Sequence, residues 1–380
     1  MAMHLEARGL IFDASKQPPE SRVNAFTSIK RLSNGQLIAG FQSGPSKHAV
    51  TSTIRLSRSL DGGQTWNEIP FQFPTVLEGK PGSLSSADIL ELPDGRLLLS
   101  GTWFDRSDPE RPLFDAETQG VLHCRQILAV SKDQGTTWSP WRIIPTHGLK
   151  GCAATGSWLS WSDGSIAHTF ESYKEFDDPK PGSHGAWLTV SRDRGETFPE
   201  LHEVGVDPNH RIYYWDQRLC EGRQPGEYFA IFWTHDLLEK KDLNVHFKHG
   251  SVGEQGGSFP KIRETSIPGQ IGAPLLLADG RLLVFVVDRN RPGTMTLWSS
   301  KDEGLTWPEA DKLIVHNHDE QAALTQQVSA DVDFNEYWDD MLKWSFGHPG
   351  ITDLKNGTVL CVFYAGTPGC LSIHWARVRV

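Results

Sequence analysis

The chain has 380 residues, of which 38% are hydrophobic and 22% are charged, a composition ordinary for a globular protein. Its 47 acidic and 37 basic residues give a formal net charge of -10. This balance argues against nucleic acid as a partner, because phosphate backbones are bound by clustered Lys and Arg. The length suits several average domains or one large all-β domain, so internal repeats must decide.

The sequence shows no targeting or membrane signal. Residues Met1 to Leu10 lack the basic-then-apolar order of a secretion signal, and no stretch approaches the ~20 consecutive apolar residues of a membrane helix. We therefore expect a cytoplasmic protein with no membrane partner.

Five cysteines are scattered without CxxC or Cys/His ligand spacing, which indicates neither a disulfide framework nor a structural zinc site. The sequence also lacks the HExxH pattern of catalytic metal sites. We expect buried thiols, no metal and no cofactor, and the sequence leaves the oligomeric state open.

In chain order, six apolar runs each meet a two-residue turn that ends in glycine and then continue as a β-rich run. Asn-Gly and Asp-Gly favour tight hairpins because both turn residues must tolerate a positive φ. The six pairs are Asn34-Gly35, Asp94-Gly95, Asp163-Gly164, Glu221-Gly222, Asp279-Gly280 and Asn356-Gly357. Each pair is predicted to join the first two strands of a repeating unit.

A second repeat reads Ser-x-Asp-x-Gly-x-Thr-Trp. Its copies span Ser59–Trp66, Ser131–Trp138, Ser191–Phe198 and Ser300–Trp307, and a degenerate copy without the aspartate lies near Ser251–Phe259. In this pattern the Asp side chain caps backbone N–H groups of a tight turn, Gly supplies a positive φ, and Thr and Trp pack the turn onto its hairpin. We expect the motif to be structural and to join strands three and four.

Repeats of this length with four strands each are typical of propeller blades. Six hairpins therefore predict an all-β fold, a six-bladed β-propeller in a single domain covering residues 1–380. After Gly357 the chain has room for only two more strands. We expect the run His4 to Phe12 to supply the fourth strand of blade six and to close the ring.

The repeated S-x-D-x-G-x-T-W motif on a six-bladed propeller resembles the sialidase (neuraminidase) superfamily, in which the element is called the Asp box or BNR repeat. The resemblance implies a hydrolase with three arginines for a substrate carboxylate, an Asp acid/base, and a Tyr activated by a Glu. The segment Ala25–Ile29, where the first arginine is expected, contains none, and the loop Gln42–His48, where the acid/base is expected, has no carboxylate.

Both predicted turn types lie on one face of the propeller, so the opposite face carries the variable loops, where function is usually found. The inner strands carry small residues near the axis except in blade four, which has Tyr213 to Asp216 there. The catalytic candidates are Asp216, Glu171 and Asp236, since glycoside hydrolysis usually needs two carboxylates. The candidates for substrate binding are Arg289, Arg291, His48, Gln270, His235, Trp215, Tyr214, His348 and Asp88.

These residues favour a carbohydrate-active enzyme, a sialidase-like glycoside hydrolase that acts on a small sugar, with an acidic sugar suggested by Arg289 and Arg291. Two alternatives stay open. His and Tyr on the loop face also suit a polysaccharide lyase that abstracts a proton from a uronate. A non-catalytic propeller that binds a glycan or a protein is the third interpretation.

Overall fold

The structure is a computed structural model that describes residues 2–153, 156, 158–252, 261–290, 293–318 and 341–380. This part of the chain is almost entirely β, with short 3-10 helices at Ala14–Lys16, Pro19–Ser21 and Glu309–Asp311. Within these ranges no helix has the length and apolar character needed to cross a bilayer.

The strands form successive antiparallel units, each with its strands in chain order from the axis outward. The first three units are β2 (Val23–Arg31), β3 (Leu37–Gly44), β4 (Thr53–Ser59) and β5 (Asn67–Ile69); β6 (Gly82–Glu91), β7 (Leu97–Asp105), β8 (Cys124–Ser131) and β9 (Arg142–Ile144); and β10 (Trp158–Ser160), β11 (Ile166–Ser172), β12 (Gly185–Ser191) and β13 (Glu200–Gly205).

The fourth unit has an additional two-residue strand, β16, that pairs with β15. The remaining units are β14 (Ile212–Glu221), β15 (Glu227–Asp236), β16 (Lys241–Asp242), β17 (His246–Ser251) and β18 (Arg263–Glu264); β19 (Gly272–Leu276), β20 (Leu282–Asp288), β21 (Thr294–Ser300) and β22 (Leu313–Asn317); and β23 (Phe346–Asp353), β24 (Thr358–Thr367) and β25 (Cys370–Arg379).

The N-terminal strand β1 (His4–Phe12) joins the last unit. It pairs antiparallel with β25, from His4 opposite Arg379 to Phe12 opposite Ile373. The last unit thus has four strands, three from the C-terminus and one from the N-terminus, and the bounds of β1 are those predicted.

The innermost strands of successive units contact one another, and β23 contacts β2, so the contacts form a complete cycle. The hydrophobic core lies between neighbouring units, because each cluster of buried residues takes members from two successive sheets. Between the first two units, for example, Ile38 and Leu56 pack with Leu84 and Leu99. Alternate residues of each strand face one neighbour or the other, as burial on both faces of a sheet requires.

The Asp motif forms the turn between strands three and four, as predicted. In the first copy Asp61 accepts hydrogen bonds from the Thr65 N–H at 2.9 Å and the Thr65 hydroxyl at 2.6 Å. Gly63 takes a φ of 91°, and the Trp66 indole donates to the Gly63 carbonyl at 3.2 Å. The same Asp–Thr contacts recur in the copies at Asp133, Asp193 and Asp302.

The predicted hairpin turns also form, with one departure. Five of the six turn glycines have a positive φ, whereas Gly222 does not, and Gly226 takes the left-handed conformation in that hairpin. There the Glu227 carboxylate accepts the N–H groups of Arg223 and Gln224, so the turn runs over residues 222–226. The pair Glu221-Gly222 marks the hairpin correctly but does not itself form the turn.

Candidate functional site

A β-bulge interrupts at least four of the inner strands near the axis. Register shifts lie between Ala25 and Ser28, Ser85 and Asp88, Trp215 and Arg218, and Gly347 and Gly350. At these bulges Phe26, Ser86, Asp216 and His348 have positive φ values of 55°, 57°, 43° and 53°. Such conformations are costly for residues other than glycine and concentrate at functional sites, and a bulge re-aims the side chain it carries.

A cavity of about 120 Å³ lies where these bulges meet the loop face. Its walls come from the bulges and from the connections between strands two and three, the face on which the sequence places the variable loops. It is close in volume to the engineered cavity of roughly 150 Å³ that binds benzene, so it is of a size for a small ligand. Most of the lining is apolar or aromatic, with a few polar groups, as in small-molecule sites.

Two predicted carboxylates, Glu171 and Asp216, line this cavity. Glu171 lies near the end of β11, and its Oε1 accepts the backbone N–H of Gln217 at 2.7 Å. Gln217 directly follows Asp216, the bulge residue of β14. The hydrogen bond therefore ties the first carboxylate to the bulge that presents the second.

Two buried cations, Lys47 and Arg289, line the same cavity. Arg289 is 1% exposed, its guanidinium lies 3.9 Å from the ring centroid of Trp344, and its Nε and Nη1 have no hydrogen-bond partner among the described residues. Lys47 donates to the carbonyl oxygens of Met341 and Trp344. In the described part of the chain no carboxylate lies within 4 Å of either cation.

Burial and the neighbouring Arg289 hold the pKa of the Lys47 ammonium well below its usual value. Burial also raises the pKa of the Tyr364 phenol, which lies under the Lys47 ammonium at 4.8 Å; Arg289 opposes this rise and the Asp216 charge adds to it. The cavity lining thus includes two carboxylates and two basic side chains.

Two predicted histidines, His48 and His348, line the cavity in the neutral form. Burial, aided by Lys47 and Arg106, lowers the pKa of His48 to about 3. Burial and the positive charge of Arg218 lower the pKa of His348 as well, and Arg218 donates a hydrogen bond to its ring. Neutral imidazoles at this position supply hydrogen-bonding groups without adding to the positive charge.

Three further predicted side chains differ in whether they line the cavity. Trp215 lines the cavity, whereas Tyr214 points to the other face of β14 and packs against Phe232. Gln270 lies behind Arg289, whose backbone N–H donates to its side chain at 3.0 Å. Strand alternation separates the adjacent aromatics of β14.

Asp236 and His235 do not line the cavity. Asp236 forms an ion pair with Arg211 at 2.5 Å, and this interaction lowers the pKa of the carboxyl to about 2. The ring of His235 is buried against Asp242, with 3.0 Å between Nδ1 and the carboxylate. Both residues stabilise the loop after β15 and lie outside the cavity lining.

Asp88 lies below the bulges, in the axial channel that opens toward the turn face. Burial raises the pKa of its carboxyl to about 7, although the charge of Arg218 opposes the rise. The bulge layer, where Arg218 contacts His348, lies between this channel and the cavity. Arg291, also predicted to bind substrate, lies outside the described residues.

Several cavity residues escaped the sequence analysis: Lys47, His184, Tyr173, Trp344 and Tyr364. Lys47 adjoins the predicted His48, but a lysine in a polar loop gives no sign that it will be buried. Tyr364 lies within β24 after a run of apolar residues, a position typical of core packing. His184 stands immediately before β12, across the β11–β12 hairpin from Glu171. This position in the hairpin is the signal from which the sequence could have placed His184 beside Glu171.

Among the described residues no group of three or more His, Cys, Asp or Glu side chains could hold a metal ion. Four of the five cysteines are buried free thiols, and Cys370 is partly exposed.

No protein-family model and no curated protein matches this sequence. Solved structures do match over the whole chain. A protein of unknown function from Dyadobacter fermentans has a TM-score of 0.75 at 17% identity, with 100% of this chain and 99% of that chain covered. A Hadza microbial sialidase gives 0.67 at 17% identity, covering 97% and 68%.

Penicillium chrysogenum α-L-arabinanase, solved with arabinobiose, has a TM-score of 0.64 at 16% identity, and 98% of each chain is covered. The chain has the β-propeller fold of these glycoside hydrolases. At this identity the likeness concerns the fold alone, and one propeller fold can carry unrelated activities. The activity must therefore be argued from the side chains of the cavity.

Proposed function

We propose that this protein is a glycoside hydrolase that removes a small acidic sugar. The observation that carries the proposal is the lining of the cavity, which combines the carboxylates of Glu171 and Asp216 with the basic side chains of Lys47 and Arg289. Among the described residues no carboxylate pairs with either basic group, and burying a cation without a counter-charge costs several kcal/mol, so a ligand carboxylate is the partner that these two side chains best fit.

Arg289 is suited to bind that carboxylate. Its Nε and Nη1 have no hydrogen-bond partner among the described residues, so N–H donors remain for a carboxylate, and its stacking on Trp344 fixes the guanidinium plane. Lys47 lies close enough for the two groups to influence each other electrostatically, and a bound carboxylate would favour the charged form of its ammonium group. The carboxylate would thereby fix the orientation of the sugar ring.

A sugar held in this way exposes its glycosidic bond to Glu171 and Asp216. Hydrolysis by two carboxyl groups needs one protonated group to give its proton to the leaving oxygen and one ionised group to activate water or to attack the anomeric carbon. Both side chains lie on adjacent units and are joined through Gln217. The apolar part of the lining, including Trp215 and Phe26, suits the C–H faces of a sugar ring.

A panel of nitrophenyl glycosides tests the proposal. It should contain uronic and nonulosonic acids beside their neutral counterparts, and release of nitrophenol is the readout. We expect an acidic glycoside to be hydrolysed with a kcat/KM at least about 10-fold above its neutral counterpart, the value of one charge-assisted hydrogen bond. Hydrolysis of none of them, with saturable binding of the same sugars, would support a binding protein instead.

A lyase is the second candidate, because the neutral His48 lies beside Lys47 in the cavity that Arg289 also lines. Elimination from a uronate needs cations to neutralise the carboxylate and a neutral base to take the C5 proton. A lyase forms an unsaturated uronate with ultraviolet absorbance, whereas hydrolysis forms none. Mass spectrometry of the products distinguishes the two by the mass of one water.

We further propose that residues 1–380 form one six-bladed propeller domain that β1 closes. The pairing of β1 with β25 and the cycle of contacts among inner strands support it. Deletion of residues 1–12 should remove the fourth strand of the last unit and abolish cooperative unfolding in a thermal scan. An unchanged single transition would contradict the closure.

A further inference from the structure

Glu171 has a second polar partner besides the Gln217 N–H: the imidazole of His184. Nε2 of His184 lies 3.3 Å from Oε2 of Glu171, and the two side chains are 5% and 16% exposed. The backbone N–H of Gln217 contacts the other oxygen, Oε1. Each carboxylate oxygen therefore has its own donor, and both donors favour the ionised form of Glu171.

The ring of His184 is held in one place by aromatic neighbours. It stacks on Trp215 at 5.8 Å with an interplanar angle of 9°, and it packs beside Tyr213 at 5.3 Å. The Tyr213 hydroxyl donates to the carbonyl of Gly182, which fixes the same loop two residues earlier. A ring locked in this way can orient a carboxylate, as the third member of a catalytic triad orients the second.

We propose that His184 is a positioning residue that orients the carboxylate of Glu171, so that Glu171 acts as the base or nucleophile and Asp216 as the acid. This inference rests on the proposed function. A two-carboxylate hydrolase needs one ionised and one protonated group, so the two donors on Glu171 leave the acid role to Asp216.

The reaction balances with these roles. The glycosidic C–O bond breaks, the leaving oxygen takes the proton of Asp216, and a water molecule supplies the hydroxyl that ends on the anomeric carbon. The remaining proton of that water restores the carboxyl of Asp216, directly or through Glu171 and solvent. Ionised Glu171 is required in either course.

Other ionisable groups lie near the pair. Tyr173 and Tyr213 pack against it, and burial raises the pKa of both phenols, so neither titrates in the acid range. Asp216 and the cations Lys47 and Arg289 line the same cavity. The acid limb of the pH profile of kcat/KM therefore reports the carboxylate pair.

The test compares pH profiles of kcat/KM for the nitrophenyl glycoside that the unsubstituted protein hydrolyses fastest. His184→Phe removes the donor and should move the acid limb upward by about one pH unit, with kcat lowered roughly 10- to 100-fold. His184→Asn, too short to reach Glu171, should do the same. His184→Gln keeps an N–H donor at similar reach and should return the limb toward its original position.

A matched control lies in the same unit. His202 and Glu200 form another His–Glu pair, with 3.4 Å between Nε2 and Oε2, away from the cavity lining. His202→Phe should leave the profile unchanged. A limb that stays in place in both His184→Phe and His184→Asn would overturn the inference, even with a lower kcat.

Glu171→Gln distinguishes a failure of the His184 inference from a failure of the proposed function. Loss of turnover in Glu171→Gln with an unmoved limb in the His184 variants would contradict the role of His184 alone. Full turnover in Glu171→Gln would contradict the proposed function itself. If no glycoside in the panel is hydrolysed, both fall.

Discussion

The face that carries the hairpin and Asp-motif turns, the turn face, differs from the face that carries the variable loops, the loop face. The difference lies in how closely successive units resemble one another. On the turn face Asp61, Asp133, Asp193 and Asp302 make the same hydrogen bonds to a threonine four residues later. On the loop face the equivalent bulges carry four different residues, Phe26, Ser86, Asp216 and His348. Residues that repeat in successive units are those that the fold of each unit requires. Residues that differ between units are free to contribute to binding or catalysis.

The two faces also treat polar groups differently. The Asp-motif carboxylates lie near the surface and have their hydrogen bonds satisfied within the turn. In the cavity, Arg289 is almost fully buried and keeps two N–H groups without a partner among the described residues. Such groups are costly in a finished core, which supports the proposal that a ligand carboxylate completes the contacts of Arg289.

The largest expected effect is on the loop face. Glu171→Gln should lower kcat/KM for the best nitrophenyl glycoside by about 1,000-fold, because the ionised carboxylate is lost. Glu200→Gln, in the same unit but not in the cavity lining, is the matched control and should stay within about 2-fold. Equal effects of the two changes would remove the distinction between the faces.

Asp216→Asn should be nearly as damaging, but in a way that depends on the leaving group. An acid is needed to protonate a poor leaving group and much less for a good one. We expect about a 1,000-fold loss with an unactivated alkyl glycoside and a loss closer to 10-fold with the corresponding nitrophenyl glycoside. An identical loss on both substrates would show that Asp216 is not the acid.

Arg289→Lys should raise KM for an acidic glycoside by roughly 10- to 100-fold and change kcat less, because lysine keeps the charge but not the fork. The neutral counterpart of that glycoside serves as the control and should show little change. Equal losses on both sugars would mean that Arg289 acts on the fold rather than on the carboxylate.

Substitutions on the turn face should affect stability and spare catalysis. Hydrogen bonds from Thr137 lower the pKa of Asp133 to about 2, so its stabilising contribution is complete above pH 4 and is lost as pH falls toward 2. Asp133→Asn should lower Tm by roughly 2–4 °C at neutral pH and lessen the loss of stability below pH 4. A change in kcat/KM at neutral pH would contradict the expectation that the turn face contributes to stability and not to catalysis.

The smallest effect concerns the aromatic residue of the Asp motif. The third copy has Phe198 where Trp307 in the fourth copy donates to the carbonyl of Gly304 at 3.1 Å. Trp307→Phe should therefore cost only about 1 kcal/mol in the free energy of unfolding, measured by denaturant titration, with activity unchanged. A much larger cost would mean that the copies are not interchangeable.

The sequence was sufficient to predict most of the fold, because the fold depends on local and repeated signals. Asn-Gly and Asp-Gly turns, the Asp motif and the bounds of β1 all follow from short patterns. The hairpin at Glu221-Gly222 was located correctly, but its turn is longer because Glu227 caps it. That cap involves a side chain several residues away, which no two-residue pattern contains.

The site was predictable only in part, because it depends on long-range contacts. Glu171, Asp216, Arg289 and His48 line the cavity as residues of the predicted face. The ion pair that occupies Asp236 and the burial of Lys47 depend on contacts between distant segments, which the sequence does not display. Strand alternation alone would have separated Tyr214 from Trp215.

The most direct test of the account is a crystal structure of the Glu171→Gln protein with its best acidic glycoside bound. We predict that the sugar occupies the loop-face cavity, with its carboxylate within about 3 Å of the Arg289 guanidinium and its glycosidic oxygen toward Asp216. A sugar bound on the turn face, or in the cavity with its carboxylate away from Arg289, would contradict the account.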